Sequence, residues 1–208
     1  MTSQDPIDSQ FEPNFSSTYS ITLNHPITTV FPILGTKEGH ERVSRLATLC
    51  TSVQLDEEDE VAIPMDKSLK DVYVRTWPAA ATPNVGNDSD SNIRRVLPRQ
   101  HFTMEETVPI LFGFYKSVVP IKGTLTWDPT NYLALYESIA GPSIRVWKLR
   151  TFEEVVDSDH GDGSSKTRLT EEIRGKCPGW MKLIVQNETT KAHVAQMNIY
   201  HTLFSDLG

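Results

Sequence analysis

Five stretches rich in β-branched and aromatic residues follow one another in the second half of this chain. They are Arg99–Val108, Ser117–Trp127, Tyr132–Ile139, Ile144–Val155 and Lys166–Cys177. Residue types of this kind favour strands. Several of the connections are short, and a parallel crossover needs about a dozen residues or more, so the strands are expected to pair antiparallel. This half of the chain is therefore predicted to form a meander of long strands.

The meander is followed by the strongest helix signal in the sequence. Pro178 and Gly179 end the last strand, and the stretch from Trp180 to Leu207 contains neither proline nor glycine. An uninterrupted stretch of this length predicts a long C-terminal helix.

The first half predicts one strand and two short helices. Thr18–Asn24 alternates apolar and polar residues, as expected for a strand with one buried face. Pro26 can occupy the first turn of a helix, and the apolar residues after it recur at helical spacing up to Gly35. A second helix is expected from Lys37 to about Leu49, interrupted near its start by Gly39.

Polar segments define the expected domain organisation. Residues 1–16 are predicted to be a disordered tail, and residues 17–208 one domain with polar loop insertions at about 78–98 and 157–165. Asp56–Glu60 consists of five consecutive acids and predicts a solvated turn. Val72–Trp77 is expected to be a further strand.

Composition excludes several classes of partner. The chain has 20 basic and 27 acidic side chains and a net charge of −7, without the basic stripe that nucleic-acid binding needs. It contains no apolar run long enough for a membrane helix and no apolar leader, so a cytoplasmic protein without an integral membrane segment is expected. Cys50 and Cys177 are isolated, which excludes a CxxC motif.

The order of these elements resembles the START-like superfamily, also called SRPBCC, which includes polyketide cyclase/dehydrase and birch-pollen-allergen types. The resemblance rests on that order, on the helix entered through His25–Phe31, and on Lys166–Thr170 in the last strand before the long helix. It implies an α+β helix-grip fold, in which a curved antiparallel sheet wraps around the C-terminal helix. It also implies an apolar cavity between sheet and helix that holds a lipid, a polyketide or another hydrophobic small molecule.

Two seams at helical spacing on the C-terminal helix are candidates for the cavity wall. One contains Leu183, Asn187, Thr190, Val194, Met197, His201 and Phe204, and the other contains Gln186, Thr190, His193, Met197, Tyr200 and Phe204. Both mix large apolar side chains with polar ones, which is typical of a ligand pocket. The spacing leaves open which seam faces inward.

Candidate site residues follow from these patterns. The predicted ligand-binding residues are Tyr136, Trp147, Thr190, Met197 and Phe204. The predicted acid–base residues are His193, His201 and Tyr200, because an imidazole in an apolar cavity can remove a proton next to a carbonyl group. Possible partners on the meander are Glu137, Arg145, Glu171 and Glu172. Adjacent strand residues face opposite sides, so at most one of Glu171 and Glu172 points inward.

No cofactor or metal is expected. His40-Glu41 is not followed by a second histidine, since Ser44 stands in its place, and the eight-residue spacing of His193 and His201 is too long for one zinc ion. Motifs for serine hydrolases, phosphate-binding loops and dinucleotide binding are missing. The sequence therefore predicts a hydrophobic-ligand-binding protein; the alternative is a cyclase-type tailoring enzyme of secondary metabolism. A third hypothesis is an interaction module that uses the acidic segment and the long loops.

Overall fold

The fold is a seven-stranded antiparallel sheet with three α-helices on one face. The computed structural model describes residues 12–80, 94–110, 115–141, 143–156 and 165–207. The strands are β1 (Phe15–Leu23), β2 (Cys50–Pro64), β3 (Arg94–Ile110), β4 (Tyr115–Asp128), β5 (Leu133–Ala140), β6 (Ile144–Val156) and β7 (Ser165–Lys176). The helices are α1 (Ile27–Gly35), α2 (Lys37–Arg45) and α3 (Lys182–Asn198). Two 3-10 helices, Gly179–Met181 and Tyr200–Leu207, flank α3.

The sheet order is β1-β7-β6-β5-β4-β3-β2, with β1 and β2 at the two edges. The five predicted meander strands are confirmed as β3 to β7, and the predicted first strand is confirmed as β1. The predicted first residues of two strands were wrong. β1 begins at Phe15 because its buried ring packs in the core, and β3 begins at Arg94 because it pairs with the end of β2 at Pro64. The remaining parts of the predicted tail and insertions, 1–11, 81–93 and 157–164, lie outside the described residues.

The sheet has an inner face, toward the helices, and an outer face. On the inner face the helices and strands share one apolar core. Its members include Val30, Phe31, Leu34, Phe102, Leu125, Tyr136, Phe152, Met197, Tyr200 and Phe204. This core fixes α1, α2 and the C-terminal segment against the concave side of the sheet.

Part of the outer face is covered by residues 65–80, which we call the outer strap. Leu69, Val72 and Val74 of the strap are buried against Trp147 and Leu149 of β6. The predicted strand at Val72–Trp77 was wrong, since this segment has no strand partner. Its backbone groups are bound by side chains of the sheet instead, which satisfies them without a ladder.

Side chains of the sheet hold the strap, among them those of Arg99, Glu137 and Trp147. The Arg99 guanidinium donates hydrogen bonds to the carbonyls of Val74 and Trp77, at 2.6 and 3.0 Å. The Glu137 carboxylate accepts one from the Val74 amide at 2.9 Å, and the indole of Trp147 donates one to the Val72 carbonyl at 3.2 Å. β-branched residues thus occur here in a buried loop rather than in a strand.

The acidic segment Asp56–Glu60 lies inside β2, so the prediction of a turn was wrong. The strand accommodates five acids because a register shift between Leu55 and Glu58 makes room for one extra residue. The buried Gln100 amide donates to the carbonyls of Asp56 and Glu57 at this bulge. Asp59 is bound by the Arg99 guanidinium at 2.6 Å, which lowers the charge repulsion within the segment.

Helix α3 lies over β1 at one edge of the sheet. Gln186 is hydrogen-bonded to the backbone of Ser16, and Asn198 accepts a hydrogen bond from the Tyr19 hydroxyl at 3.2 Å. The continuous helix predicted to Leu207 stops at Asn198. There the side chains of His201 and Thr202 donate to the carbonyls of Asn198 and Ile199, and a 3-10 helix follows. None of the described helices is long and apolar enough to cross a membrane.

Helix α2 ends earlier than predicted, at Arg45 instead of Leu49, and Gly39 lies inside it. A Cβ atom at Gly39 would be 1.9 Å from the carbonyl oxygen of Ile33. The glycine therefore permits the close crossing of α1 and α2 rather than interrupting the helix.

Candidate functional site

A buried ion pair occupies the centre of the inner face. Arg150 of β6 and Glu171 of β7 are directly opposite in the strand register, and the Arg150 Nε donates to the Glu171 carboxylate. Their side chains are 0% and 1% exposed. A buried carboxylate of this kind needs an adjacent cation and further hydrogen bonds to remain charged.

Both terminal nitrogens of Arg150 also donate hydrogen bonds. Its Nη1 donates to the Leu34 carbonyl at 2.6 Å and to the Tyr136 hydroxyl at 2.8 Å, and its Nη2 donates to the Tyr200 hydroxyl at 2.5 Å. Leu34 lies in the last turn of α1, where carbonyls lack a partner within the helix and a cation is favourable. One guanidinium therefore connects α1, β5, β7 and the C-terminal segment.

The charges at this centre are strongly coupled. Burial alone would raise the pKa of Glu171, but Arg150, Lys148 and His193 hold it far below the usual range. Burial would lower the pKa of Arg150, whereas Glu171 and the two tyrosines keep it above its ordinary value. Burial raises the pKa of both Tyr136 and Tyr200, so these hydroxyls stay protonated. The pair is thus fully ionised at neutral pH.

His193 of α3 lies between a hydroxyl and this carboxylate. Its Nδ1 is 2.8 Å from the Ser17 Oγ of β1, and its Nε2 is 3.2 Å from the Glu171 Oε1. The contact between His193 Nε2 and Glu171 Oε1 is close but lacks hydrogen-bond geometry. Neither of these two atoms therefore has a hydrogen-bond partner among the described residues. A small ring rotation would give a hydroxyl–imidazole–carboxylate series, which is an arrangement able to move a proton.

His40 of α2 is a second buried imidazole. Neither of its ring nitrogens has a hydrogen-bond partner in the described structure. Its ring lies against Phe102 and Tyr136, with centroids 4.6 and 5.5 Å away. Burial, with Arg150 and Lys148 contributing, lowers the pKa of His40 to about 3. His40 is therefore neutral and retains one donor and one acceptor.

Beside this closed centre, the inner face is only half-buried. We call this region the inner trough; it is lined by Met104, Glu106, Ser138, Val146 and Lys148. A row across four strands here consists of Gly123, Ser138, Val146 and Gly175. The rings of Phe102 and Phe15 cover the two glycines, which leaves only small side chains in the middle of the row. Val185 of α3 packs at its margin with Val146.

The structure brings several predicted residues together. Of the two helix seams, the one with His193, Met197, Tyr200 and Phe204 is buried. Tyr136 lies opposite them on β5 and shares the Arg150 guanidinium with Tyr200. All of these side chains are packed in the inner core.

The other predicted residues lie elsewhere. Thr190 and His201 are exposed on the C-terminal segment, and His201 lines a surface depression of about 300 Å³ with Ile21 and Met197. Trp147 is buried on the outer face, on the opposite side of the sheet from Tyr136. The proposed roles of Thr190, His201 and Trp147 remain predictions.

The predicted partner carboxylates divide between the two faces. The expectation that only one of Glu171 and Glu172 points inward is confirmed, and it is Glu171. Glu137 is buried under the outer strap, where burial raises its pKa to about 7, although the amides of Val74 and Arg75 oppose the rise. Arg145 is on the outer face as well and is exposed.

Sequence reasoning missed Arg150, Lys148, His40 and Ser17. The first two share strand parity with Phe152, an apolar residue of the inner core. That parity could have indicated that both cations point inward. However, the alternate positions of the same strand hold Trp147, Leu149 and Thr151, so the sequence predicts burial of the opposite face equally well. Nothing in the local pattern around His40 distinguishes it from an exposed helix residue.

Comparisons with known proteins agree with the helix-grip architecture. No protein-family model matches the chain, and no curated protein matches it in sequence. Zhui aromatase/cyclase from a Streptomyces species superposes with a TM-score of 0.53 at 10% identity, covering 88% of each chain. A protein from Thermus thermophilus gives 0.52 at 11% identity, covering 88% of this chain and 92% of that one.

A third similar structure is norcoclaurine synthase from Thalictrum flavum in complex with dopamine and hydroxybenzaldehyde. It has a TM-score of 0.50 at 10% identity and covers 95% of this chain and 90% of its own. Likeness at this identity establishes the fold and no more. The START-like, SRPBCC-type fold expected from the sequence is thereby confirmed.

Proposed function

We propose that this protein binds a hydrophobic small molecule, such as a lipid, a polyketide or another secondary metabolite, in the inner trough. The observation that carries this proposal is the row of small residues at Ser138 and Val146 beside a polar, closed centre. Ligand sites are concave and largely apolar, with a few convergent polar groups. The trough has this composition, because Met104 and Val146 adjoin Lys148 and Glu106.

The test uses the neutral fluorescent probe N-phenyl-1-naphthylamine. We expect its emission to rise on binding to the native protein, and Ser138→Phe to weaken binding at least tenfold by filling the trough. Val118→Phe is the matched control, since Val118 is 58% exposed and its side chain lies on the outer face, opposite to the trough. Equal binding by both variants, or native mass spectra without any bound apolar molecule, would contradict the proposal.

A second candidate function is acid–base catalysis on the bound molecule, as in a cyclase-type tailoring enzyme. His193, in line with Ser17 and Glu171, supports it, and the Tyr200 hydroxyl lies beside the same centre. Such a group would remove a proton next to a carbonyl.

Hydrogen–deuterium exchange at the α-carbons of 2-tetralone in D₂O, followed by NMR, measures that step directly. We expect the native protein to accelerate exchange and His193→Ala to abolish the acceleration while probe binding persists. His201→Ala, at an exposed position, is the comparison variant. Unchanged exchange rates in His193→Ala would remove the catalytic assignment and leave ligand binding intact.

A further inference from the structure

Cations exceed carboxylates at the buried centre of the inner face. Arg150 and Lys148 project from β6, while Glu171 is the one carboxylate that is fully buried there among the described residues. Glu106 is a further acid on the inner face; burial raises its pKa, and Lys148 opposes the rise. In the buried centre, two cations therefore face one fully buried carboxylate.

Lys148 carries this excess. Its Nζ is 3.8 Å from the Glu171 Oε2, beyond hydrogen-bond distance, and that oxygen already accepts from Arg150. The ammonium lies 4.8 Å from the centroid of the Tyr136 ring and makes no hydrogen bond with another described residue. The Lys148 side chain is 19% exposed and lies on the same face of the sheet as the inner trough. Arg150, in contrast, donates hydrogen bonds from each of its three nitrogens.

His40 is a second buried polar group beside Tyr136. Both its ring nitrogens are buried and unpartnered within the described chain, and its ring centroid is 5.5 Å from that of Tyr136. Burial is the main reason why the pKa of His40 falls to about 3, and Arg150 and Lys148 lower it further. The imidazole is therefore neutral and has one N–H group to donate.

We propose that the ligand is an apolar molecule with a carboxylate, and that Lys148 binds this carboxylate, with the neutral His40 as a second donor. A carboxylate can accept a hydrogen bond at each of its two oxygens, and the apolar remainder of the ligand would occupy the trough at Ser138 and Val146. This inference rests on the proposed function, since it assigns the chemistry of the ligand in that same trough.

The test compares decanoate with decan-1-ol, which share a chain and differ in the head group. Each displaces N-phenyl-1-naphthylamine from the protein at neutral pH and moderate salt. We expect decanoate to bind at least tenfold more tightly than the alcohol to the native protein. We expect Lys148→Met to remove that preference, and Lys148→Arg to retain it.

Lys122→Met is the matched control, because it removes an exposed lysine from the outer face of β4. Thermal unfolding of each variant establishes that it is folded before binding is measured. Equal binding of acid and alcohol by the native protein would overturn the inference, as would an undiminished preference in Lys148→Met; in both cases the proposed function survives. Failure of the neutral probe to bind at all would overturn the proposed function itself.

Discussion

Arg150 and Glu171 form an ion pair that has essentially no contact with water, and Arg150 ties the pair to three further elements of the fold. Two charges cost free energy when they are moved from water into the interior, and their attraction compensates only while both are present. The pair is therefore expected to specify how α1 and the C-terminal segment dock on the sheet.

The first prediction concerns this pair. Arg150→Met should lower the free energy of unfolding by about 3–5 kcal/mol, since it leaves the buried Glu171 charge without its hydrogen-bonded cation. Arg150→Met combined with Glu171→Gln should be less destabilised than Arg150→Met alone, because the uncompensated charge is gone. Urea unfolding monitored by circular dichroism measures both. Arg45→Met, which breaks the exposed pair with Glu41, should cost less than about 1 kcal/mol, and a similar cost for both pairs would contradict the prediction.

The second prediction concerns Glu137 under the outer strap. Its folded pKa of about 7 lies above the unfolded value of roughly 4.3. Its contribution to stability is thus present below the unfolded pKa and lost as the pH rises toward 7. Glu137→Gln does not titrate, so its free energy of unfolding should rise relative to the native protein by roughly 2–3 kcal/mol between pH 5 and pH 8.

Urea unfolding at several pH values would measure this difference for Glu137→Gln. The exposed Glu153→Gln provides the control, which should run parallel to the native protein throughout. Parallel behaviour of Glu137→Gln as well would show that the buried carboxyl titrates normally.

The third prediction concerns His40 and has the opposite sign. Burial, together with Arg150 and Lys148, places its folded pKa at about 3, below the unfolded value of about 6.5. The neutral His40 therefore stabilises the folded protein above pH 6.5, and this contribution is lost as the pH falls. Between pH 6.5 and pH 4, the free energy of unfolding of His40→Phe should fall by about 3 kcal/mol less than that of the native protein. Urea unfolding at these two pH values tests this, with the exposed His201→Phe as control. An equal decrease in the free energy of unfolding of both variants would contradict a buried, neutral His40.

The fourth prediction distinguishes the two sides of α3. Met197→Ala should cost about 2–5 kcal/mol, because Met197 is fully buried in the inner core. Ile184→Ala should change stability by less than about 0.5 kcal/mol, because Ile184 is 64% exposed. Urea unfolding of the two variants measures this difference. Comparable decreases in the free energy of unfolding would mean that α3 is rotated about its axis relative to the structure.

Much of the fold could be predicted from local sequence patterns, since the alternation within a strand and the length of a connection both depend on neighbouring residues. β4 to β7 were predictable within a few residues for this reason. The strand predicted at Val72 and Val74 was wrong because the burial of this segment depends on Trp147 and Glu137, which are distant in sequence.

The candidate site was harder to predict than the fold. His193, Met197, Tyr200 and Phe204 could be found because a helix seam repeats at a fixed spacing. Arg150 and Glu171 meet only through the register of β6 and β7, and His40 meets Tyr136 only through the packing of α2. A buried charge network depends on strand register and on the packing of helices, and neither can be predicted from neighbouring residues of a single sequence.

The five acids of β2 also bear on whether a second copy of the chain can pair with this edge of the sheet. β2 is an edge strand, so its outer backbone groups offer a template on which a second chain could add a strand. Consecutive carboxylates repel a like-charged approaching copy, and the extra residue after Leu55 breaks the regular spacing that intermolecular pairing requires. The acidic segment thus protects this margin of the sheet against aggregation, a role that its place in a strand makes necessary and that a solvated turn would not need.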